Sequence, residues 1–253
     1  VSYDGSVIIV NNGMDGWAYR WTSGGMQNIG NLGGNQTTAY DISADGSVIV
    51  GFSYDSLGNP CAFRWAEGII NKIGPYYSFA RGVSGDGSTV TGSETGSAGL
   101  HRAFRWTESN GFEYGIAGNF TYGLAVSGDG EIIVGDGDGA FRLSEAGGLE
   151  NLYQVYADLM ESGSELYDAR DISPDGLFIV GTGKNAITGL DEGYLIGVNG
   201  LPTMDNSIRT PENFGILKTY PNPVVSYATI EYSIPTASTI TLEIYNSLGQ
   251  KVQ

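Results

Sequence analysis

The 253-residue chain predicts an all-β fold, a β-propeller of about five four-stranded blades with one helical insertion, and three observations predict it. The phrase DISADGSVIVG, Asp41 to Gly51, recurs with its Asp-Gly pair at Asp4-Gly5, Asp45-Gly46, Asp86-Gly87, Asp129-Gly130 and Asp175-Gly176. Subtracting positions gives steps of 41, 41, 43 and 46 residues, the period of a propeller blade. An aromatic strand follows each of the first four turns: AYRW at Ala18 to Trp21, AFRW at Ala62 to Trp65 and Ala103 to Trp106, AFRL at Ala140 to Leu143. Forty glycines with only 16% charged residues fit many short strands joined by tight turns rather than disorder.

Within a unit, an alternating segment such as Ala39 to Ser43 predicts a first strand and the β-branched run Ser47 to Val50 a second. The Asp-Gly between them predicts a two-residue type I′ hairpin turn with both central residues at positive φ. The preceding serines, Ser2, Ser43, Ser84, Ser127 and Ser173, stand where a hydroxyl can bond turn amides. The AFRW-type segment is the third strand, and a fourth follows, as at Met26 to Leu32. In the fourth copy, Leu149, Leu152, Tyr153, Tyr156, Leu159 and Met160 recur at helical spacing, predicting an amphipathic helix of about three turns packed by its stripe. The fifth copy, Asp171 to Asn185, leads to a third strand reduced to Tyr194–Val198, and the array ends near Asn199. Val1 enters in mid-repeat without the strand that would precede Ser2, so the sequence predicts a processed or cut N-terminus. A five-bladed ring, a larger ring and an open stack all fit the repeats.

The net charge of −16, from 28 acidic and 12 basic residues, opposes binding to nucleic acid or anionic bilayers. No apolar run approaches the ~20 residues of a membrane helix, so no membrane insertion is expected. Cys61 and His101 are each the only one of their kind, which leaves no intrachain disulfide and no thiolate metal cluster. Cys61 reads as buried packing and His101 as surface. Arg20, Arg64, Arg105 and Arg142 sit between apolar neighbours on alternating strands, so each points to the opposite face, and pairing with acidic groups of the adjoining blade is expected. The turn aspartates are explained by bonds to turn backbone without a calcium ladder. Asp136 and Asp138, in the loop Gly135 to Gly139, are weak Ca²⁺ candidates, two carboxylates being too few for six to eight oxygens; no other cofactor is expected. Glu94, Glu108 and Glu113 read as solvated loop acids, so no catalytic residue is assigned.

The combination of ISADGSVIVG, AFRWT-type strands and GGM...LG segments over residues 1–199 resembles the HAF family of extracellular repeat proteins, as does the helical insertion followed by the IVGTGKN phrase. That resemblance implies blade-like units and a surface or secreted protein, with Leu143 in place of Trp and the short Gly135–Ala140 loop as departures. Residues 200–215, broken by prolines, read as a linker. Residues 216–253 then resemble the C-terminal sorting domain of type IX secretion cargo, on YPNP at Tyr220, Pro221, Asn222 and Pro223 and on IYNSLGQKV, which contains Leu248 and Gly249. The resemblance implies a partial immunoglobulin-like β-sandwich module, engagement of the type IX secretion machinery, and a secreted or outer-surface location on a Gram-negative, Bacteroidota-like bacterium.

The favoured function is a non-catalytic binding or structural propeller for extracellular protein or polysaccharide, with self-assembly open. A lectin is the alternative, on Tyr54, Asn59, Tyr76, Tyr77 and Tyr122, although the loops differ between units. A glycan-degrading enzyme is less favoured: Ser-x-Asp-Gly is similar to the aspartate box of sialidases but lacks its closing aromatic, and no carboxylate pair is evident.

Overall fold

The computed structural model describes residues 1–96, 99–114, 120–198, 215–220, 229–233 and 251. Two compact units, Val1–Gly200 and Leu201–Gln253, divide the chain.

Each Ser-x-Asp-Gly phrase is a closed hairpin loop. In the second unit Ser43 Oγ donates to Asp45 Oδ1 (2.7 Å), Asp45 Oδ1 accepts the Ser47 amide (2.9 Å), and Ser43 Oγ accepts the Val48 amide (2.9 Å). The Gly46 amide donates to the Ser43 carbonyl, and the Ser43 amide to the Val48 carbonyl, both at 2.9 Å. The same set recurs at Asp4, Asp86, Asp129 and Asp175. This corrects the expected type I′ turn. Only the glycine is left-handed, with φ between 71° and 78° across the five copies, and no turn aspartate has positive φ. Serine and aspartate satisfy the amides from inside a four-residue loop, so the aspartate can stay right-handed.

The strands form five successive antiparallel meanders among the described residues. The first is β1 (Ile8–Asn12), β2 (Trp17–Thr22) and β3 (Gly25–Asn28). The second is β4 (Gly33–Ile42), β5 (Val48–Asp55), β6 (Pro60–Ala66) and β7 (Ile69–Tyr76). The third is β8 (Ser78–Val83), β9 (Thr89–Thr95), β10 (His101–Thr107) and β11 (Gly111–Tyr114). The fourth is β12 (Tyr122–Val126), β13 (Ile132–Asp136), β14 (Phe141–Ser144) and β15 (Gly148–Asn151). Then come α1 (Leu152–Tyr156), a 3₁₀ turn (Ala157–Leu159), and the fifth meander, β16 (Glu165–Ile172), β17 (Phe178–Lys184) and β18 (Asp191–Gly197). A single bridge between Asp136 and Asp168 joins the last two meanders into one sheet.

Two elements differ from expectation. The three-turn helix shrinks to five residues, because Leu149 belongs to β15 and Asn151 caps the helix by accepting the Gln154 amide at 3.2 Å. Leu152, Tyr156 and Met160 join the core, whereas Leu149, Tyr153 and Leu159 are exposed. The third strand of the fifth unit begins at Asp191 rather than Tyr194, paired along its whole length with β17.

A repeated bulge was not legible in the sequence. Each leading strand slips by one residue, at Tyr40, Arg81, Leu124 and Arg170, which bends the strand and sharpens its twist. Opposite stands the glycine six places after each turn aspartate: Gly51, Gly92, Gly135 or Gly181. A Cβ there would meet a leading-strand carbonyl at 2.0, 2.0, 1.9 and 1.9 Å respectively.

Consecutive meanders pack face to face. Val7, Ala18, Ile29 and Ile9 of the first lie against Ile42, Ile49, Phe63 and Trp65 of the second. Val48, Val50 and Ala62 meet Val83, Val90 and Phe104 of the third. Ala103 meets Val126, Ile133 and Phe141 of the fourth, and Val134, Ala140 and Leu152 meet Leu166, Ala169 and Ile179 of the fifth. Alternation along each strand thus serves two neighbours, not one core and solvent. Backbone bonds thread the turns: Tyr3 donates to Ala44, Ala44 to Gly85, Gly85 to Gly128 and Gly128 to Pro174, at 2.8 to 2.9 Å. Burial, opposed by the Val83 and Ile42 amides and joined by the Asp171 charge, raises the Asp41 pKa.

In the second unit β19 (Gly215–Tyr220) pairs antiparallel with β20 (Thr229–Ser233). The strand expected at Ile240 to Ile244, and most of the 200–215 linker, lie outside the described residues. Among the described residues no helix is long and apolar enough to cross a membrane.

Candidate functional site

The repeated arginines reach the next meander, but not its acids. Arg20 Nε donates to the Gly46 carbonyl (3.3 Å), Arg64 Nη2 to Gly87 (3.3 Å) and Arg105 Nη2 to Gly130 (3.2 Å). Arg20 lies over Trp65 and Arg64 over Trp106, each 5.8 Å from the ring centroid. The turn carboxylates are already occupied by their own serine and amides, so the carbonyl of the buried turn glycine is the acceptor at this depth. A guanidinium also stacks well on an indole. In the fourth meander Leu143 replaces the indole, and Arg142 turns to Glu150 of its own sheet, 2.6 Å away.

Other single residues fall apart rather than together. Cys61 is buried, its Sγ 3.6 Å from the Asn59 carbonyl. His101 sits between Thr95 (3.1 Å) and the Tyr122 ring (5.0 Å). Glu94 is corrected: it is buried and paired with Arg102, Nε to Oε1 at 2.6 Å, while Glu108 and Glu113 are exposed. Asp55 engages Asn59, Tyr54 packs on Phe52, and Tyr76 lies under the Lys72 ammonium at 3.9 Å. Tyr77, with φ +60°, joins two meanders by bonding Pro60 and Thr95.

Two clefts, of about 400 and 580 Å³, lie along the repeated arginines, one beside Arg64, Trp106 and Asp129 and one beside Arg20, Arg64 and Trp65; two others lie at the fifth meander and its short helix. One, of about 520 Å³, is lined by Asp138, Asn151, Tyr153, Ser164, Glu165 and Tyr167. A second, of about 260 Å³ and largely apolar, is lined by Met160, Ser164, Lys184, Asn185, Glu192 and Tyr194. Tyr153 and Tyr167 are partly exposed, and Asn151 Nδ2 donates to the Asp138 carbonyl at 2.8 Å, fixing the wall. Burial, then the Asp191 hydrogen bond, raise the Tyr167 pKa. The Thr188 hydroxyl, then the Asn185 amide, lower that of Glu192. Burial, then the charge of Asp168, push the Tyr194 phenol far up, so it stays a donor to the Asp168 carbonyl at 2.7 Å. The sequence assigned Tyr153 to a core stripe and gave no role to Tyr167; the Asn151 cap, which ends β15 and turns the chain, was the missed clue.

Asp136 and Asp168 are a carboxylate pair that the register places opposite each other. Burial, then Asp168, raise the Asp136 pKa. Asp168 is taken up by Arg170 (2.7 Å) and by the Thr182 amide and hydroxyl (2.9 and 3.0 Å). Asp138 is exposed, and among the described residues no three His, Cys, Asp or Glu side chains gather as a metal cluster. Of the sorting phrases, Tyr220 ends β19, whereas Pro221, Asn222, Pro223, Leu248 and Gly249 lie outside the described residues.

Residues 218–253 match the model of the secretion system C-terminal sorting domain. Among solved structures, TolB from Agrobacterium tumefaciens is similar at 16% identity, over 79% of this chain and 76% of that one, with a TM-score of 0.54. TolB from Acinetobacter baumannii is similar at 12% identity, over 77% of this chain and 51% of that one, with a TM-score of 0.51. The repeat array has a TolB-like β-propeller fold. No curated protein matches the chain. The sorting domain marks the chain as cargo for type IX export and implies contact with that machinery.

Proposed function

We propose that this protein is a non-catalytic binding and structural propeller, secreted or held at the outer surface of a Gram-negative bacterium. In this reading the five meanders are HAF-type blades and the C-terminal segment is the start of an immunoglobulin-like sorting module. The observation that carries the proposal is the sorting-domain match at residues 218–253. The partner is extracellular protein or polysaccharide. The bonds already made by Asp168 support a structural role for the Asp136–Asp168 pair and hence a protein without turnover.

Expression behind a Sec leader in a type IX-competent host, with and without residues 218–253, tests the export half. Surface display or release of the full chain only is expected; identical location of both would refute it. Measurable turnover on a polysaccharide panel, lost on one carboxylate substitution, would refute the non-catalytic half.

One observation favours polysaccharide over protein: the 520 Å³ cleft offers two partly exposed tyrosines beside Asn151 and Asp138. Aromatic faces cover the apolar side of a sugar, and fixed amides and carboxylates bond its hydroxyls. A glycan array with the full chain should then show selective binding that Tyr153→Ala or Tyr167→Ala weakens about tenfold, a loss of about 1.4 kcal/mol. Binding untouched by either substitution would place the ligand elsewhere.

A further inference from the structure

The face of the first meander that points away from the second repeats, residue for residue, a surface that is covered everywhere else in the array. Ile49, Phe63 and Trp65 are 0, 0 and 5% exposed beneath the first meander. Their counterparts by repeat position are Ile8, Tyr19 and Trp21; Ile8 and Trp21 are 38 and 40% exposed. Beside them Met26 and Tyr3 are also exposed.

The polar half of the contact is open as well. Each later turn glycine is pressed by the residue three places after the previous turn's aspartate: Gly46 by Val7, Gly87 by Val48 and Gly130 by Thr89, where a Cβ would stand 2.5 Å away, and Gly176 by Ile132, at 3.0 Å. Gly5 has nothing within 4 Å. The carbonyls of Ala44, Gly85, Gly128 and Pro174 each accept an amide from the preceding turn, and those of Gly46, Gly87 and Gly130 accept an arginine. Among the described residues the carbonyls of Tyr3 and Gly5 accept neither.

We propose that this face seats one further repeat unit on its N-terminal side. The four internal interfaces state the chemistry of the occupant: a Ser-x-Asp-Gly turn with a donating amide at x and a β-branched residue three places after its aspartate; three of the four add a third-strand arginine, which here would reach Gly5 over Trp21 as Arg20 and Arg64 do over Trp65 and Trp106. The fifth meander, of this chain or of a second copy, does not meet that description. Its turn carries Pro174, which has no amide to donate. Leu195, opposite Val180, takes the arginine's place, and Phe178 the β-branched one. The array therefore has a direction, donors facing forward, and its last unit has lost both donors.

The test adds a copy of residues 33–82 ahead of Val1 in the full chain, which supplies a complete unit and a leading strand in register with Ser2. That leading strand brings its bulge against Val10, where the other units have glycine, so the extension is built with Val10 and with Val10→Gly. At least one extended chain should show a higher Tm and amide exchange about tenfold slower over Ile8–Asn12 and Trp17–Thr22. Ala44→Pro with Arg64→Leu in the added copy should remove most of that gain. Trp21→Glu should leave the unextended chain's Tm in place and cancel the gain in the extended one. Unchanged exchange in both extended chains, or equal protection from the donor-free copy, would overturn the proposal. So would a dimer of the unextended chain, seen by light scattering and broken by Trp21→Glu.

Discussion

At Gly51 the side chain that is missing decides whether the leading strand can be paired at all. A Cβ would lie 2.0 Å from the Thr38 carbonyl, 2.9 Å from Ala39 Cα and 3.0 Å from the Phe63 ring. Backbone and a buried ring cannot both yield, so Gly51→Ala is expected to cost about 3 kcal/mol, a Tm drop of roughly 6–12 °C. Val10 holds the equivalent place in the first meander, where no leading strand is present among the described residues. Val10→Ala should accordingly shift Tm by no more than about 2 °C, and equal effects at the two positions in thermal melts would refute the bulge argument. The turn carboxylates act on pH instead. Turn-amide and serine hydrogen bonds lower Asp4, Asp45, Asp129 and Asp175; at Asp86, burial opposes but does not outweigh the bonds from Ser84 and Ser88. A carboxylate depressed in the folded state stabilises above its unfolded pKa, near 3.9, and that contribution fades as pH falls through the folded value. Asp41 and Asp136, raised mainly by burial, act with the opposite sign, but they are two against five. At 0.2 M salt, which screens the surface charge, Tm should hold above about pH 5 and fall below about pH 4. A Tm that rises between pH 5 and pH 3 would refute this.

Between neighbouring elements the repeated arginine is the polar link, and its worth depends on what lies beneath it. Arg64 donates to Gly87 and stacks on Trp106, so Arg64→Leu should cost about 1–2 kcal/mol. Arg64→Lys should recover less than half, because an ammonium neither forks nor stacks as a guanidinium does. Arg105 has a turn carbonyl but Leu143 in place of an indole, and Arg105→Leu should cost less than Arg64→Leu in urea titrations. The alternation around Arg64 made its direction legible: Phe63 and Trp65 face back and Arg64 forward. Its acceptor was not legible, because a carbonyl leaves no mark in sequence and the nearby aspartates drew attention although Ser43 and its kin had already filled them. The bulges were hidden for a similar reason, since Tyr40, Arg81, Leu124 and Arg170 share position but no chemistry. The sequence predicts too long a helix because Leu149 and Leu159 fit a 3.6-residue period by chance, while Asn151, a strong cap, starts the helix only after β15. Of the clefts beside that helix nothing was readable, because Tyr153 and Tyr167 meet only after β15, the helix and β16 have folded.

Across the array stability is close to a sum over interfaces, since among the described residues each core cluster joins meanders that are neighbours in sequence. The second, third and fourth meanders are covered on both faces, whereas among the described residues the first and fifth are each packed on one face only. Interior side chains should therefore matter far more than their terminal counterparts of like size. Phe104 is fully buried between the second and third meanders, and Phe104→Ala should cost about 3–5 kcal/mol. Trp21→Ala, at an equally aromatic strand, should cost less than about 1 kcal/mol. Local opening should follow the same order, with amides of Val48–Val50 and Val90 exchanging slowest and those of β1 and β3, exposed along most of their length, fastest. Loosening sheet by sheet from both ends fits an open array of nearest-neighbour contacts. Uniform protection in native-state exchange would instead mean that the first and fifth meanders are covered by each other, and would close the array into a ring despite Pro174 and Leu195.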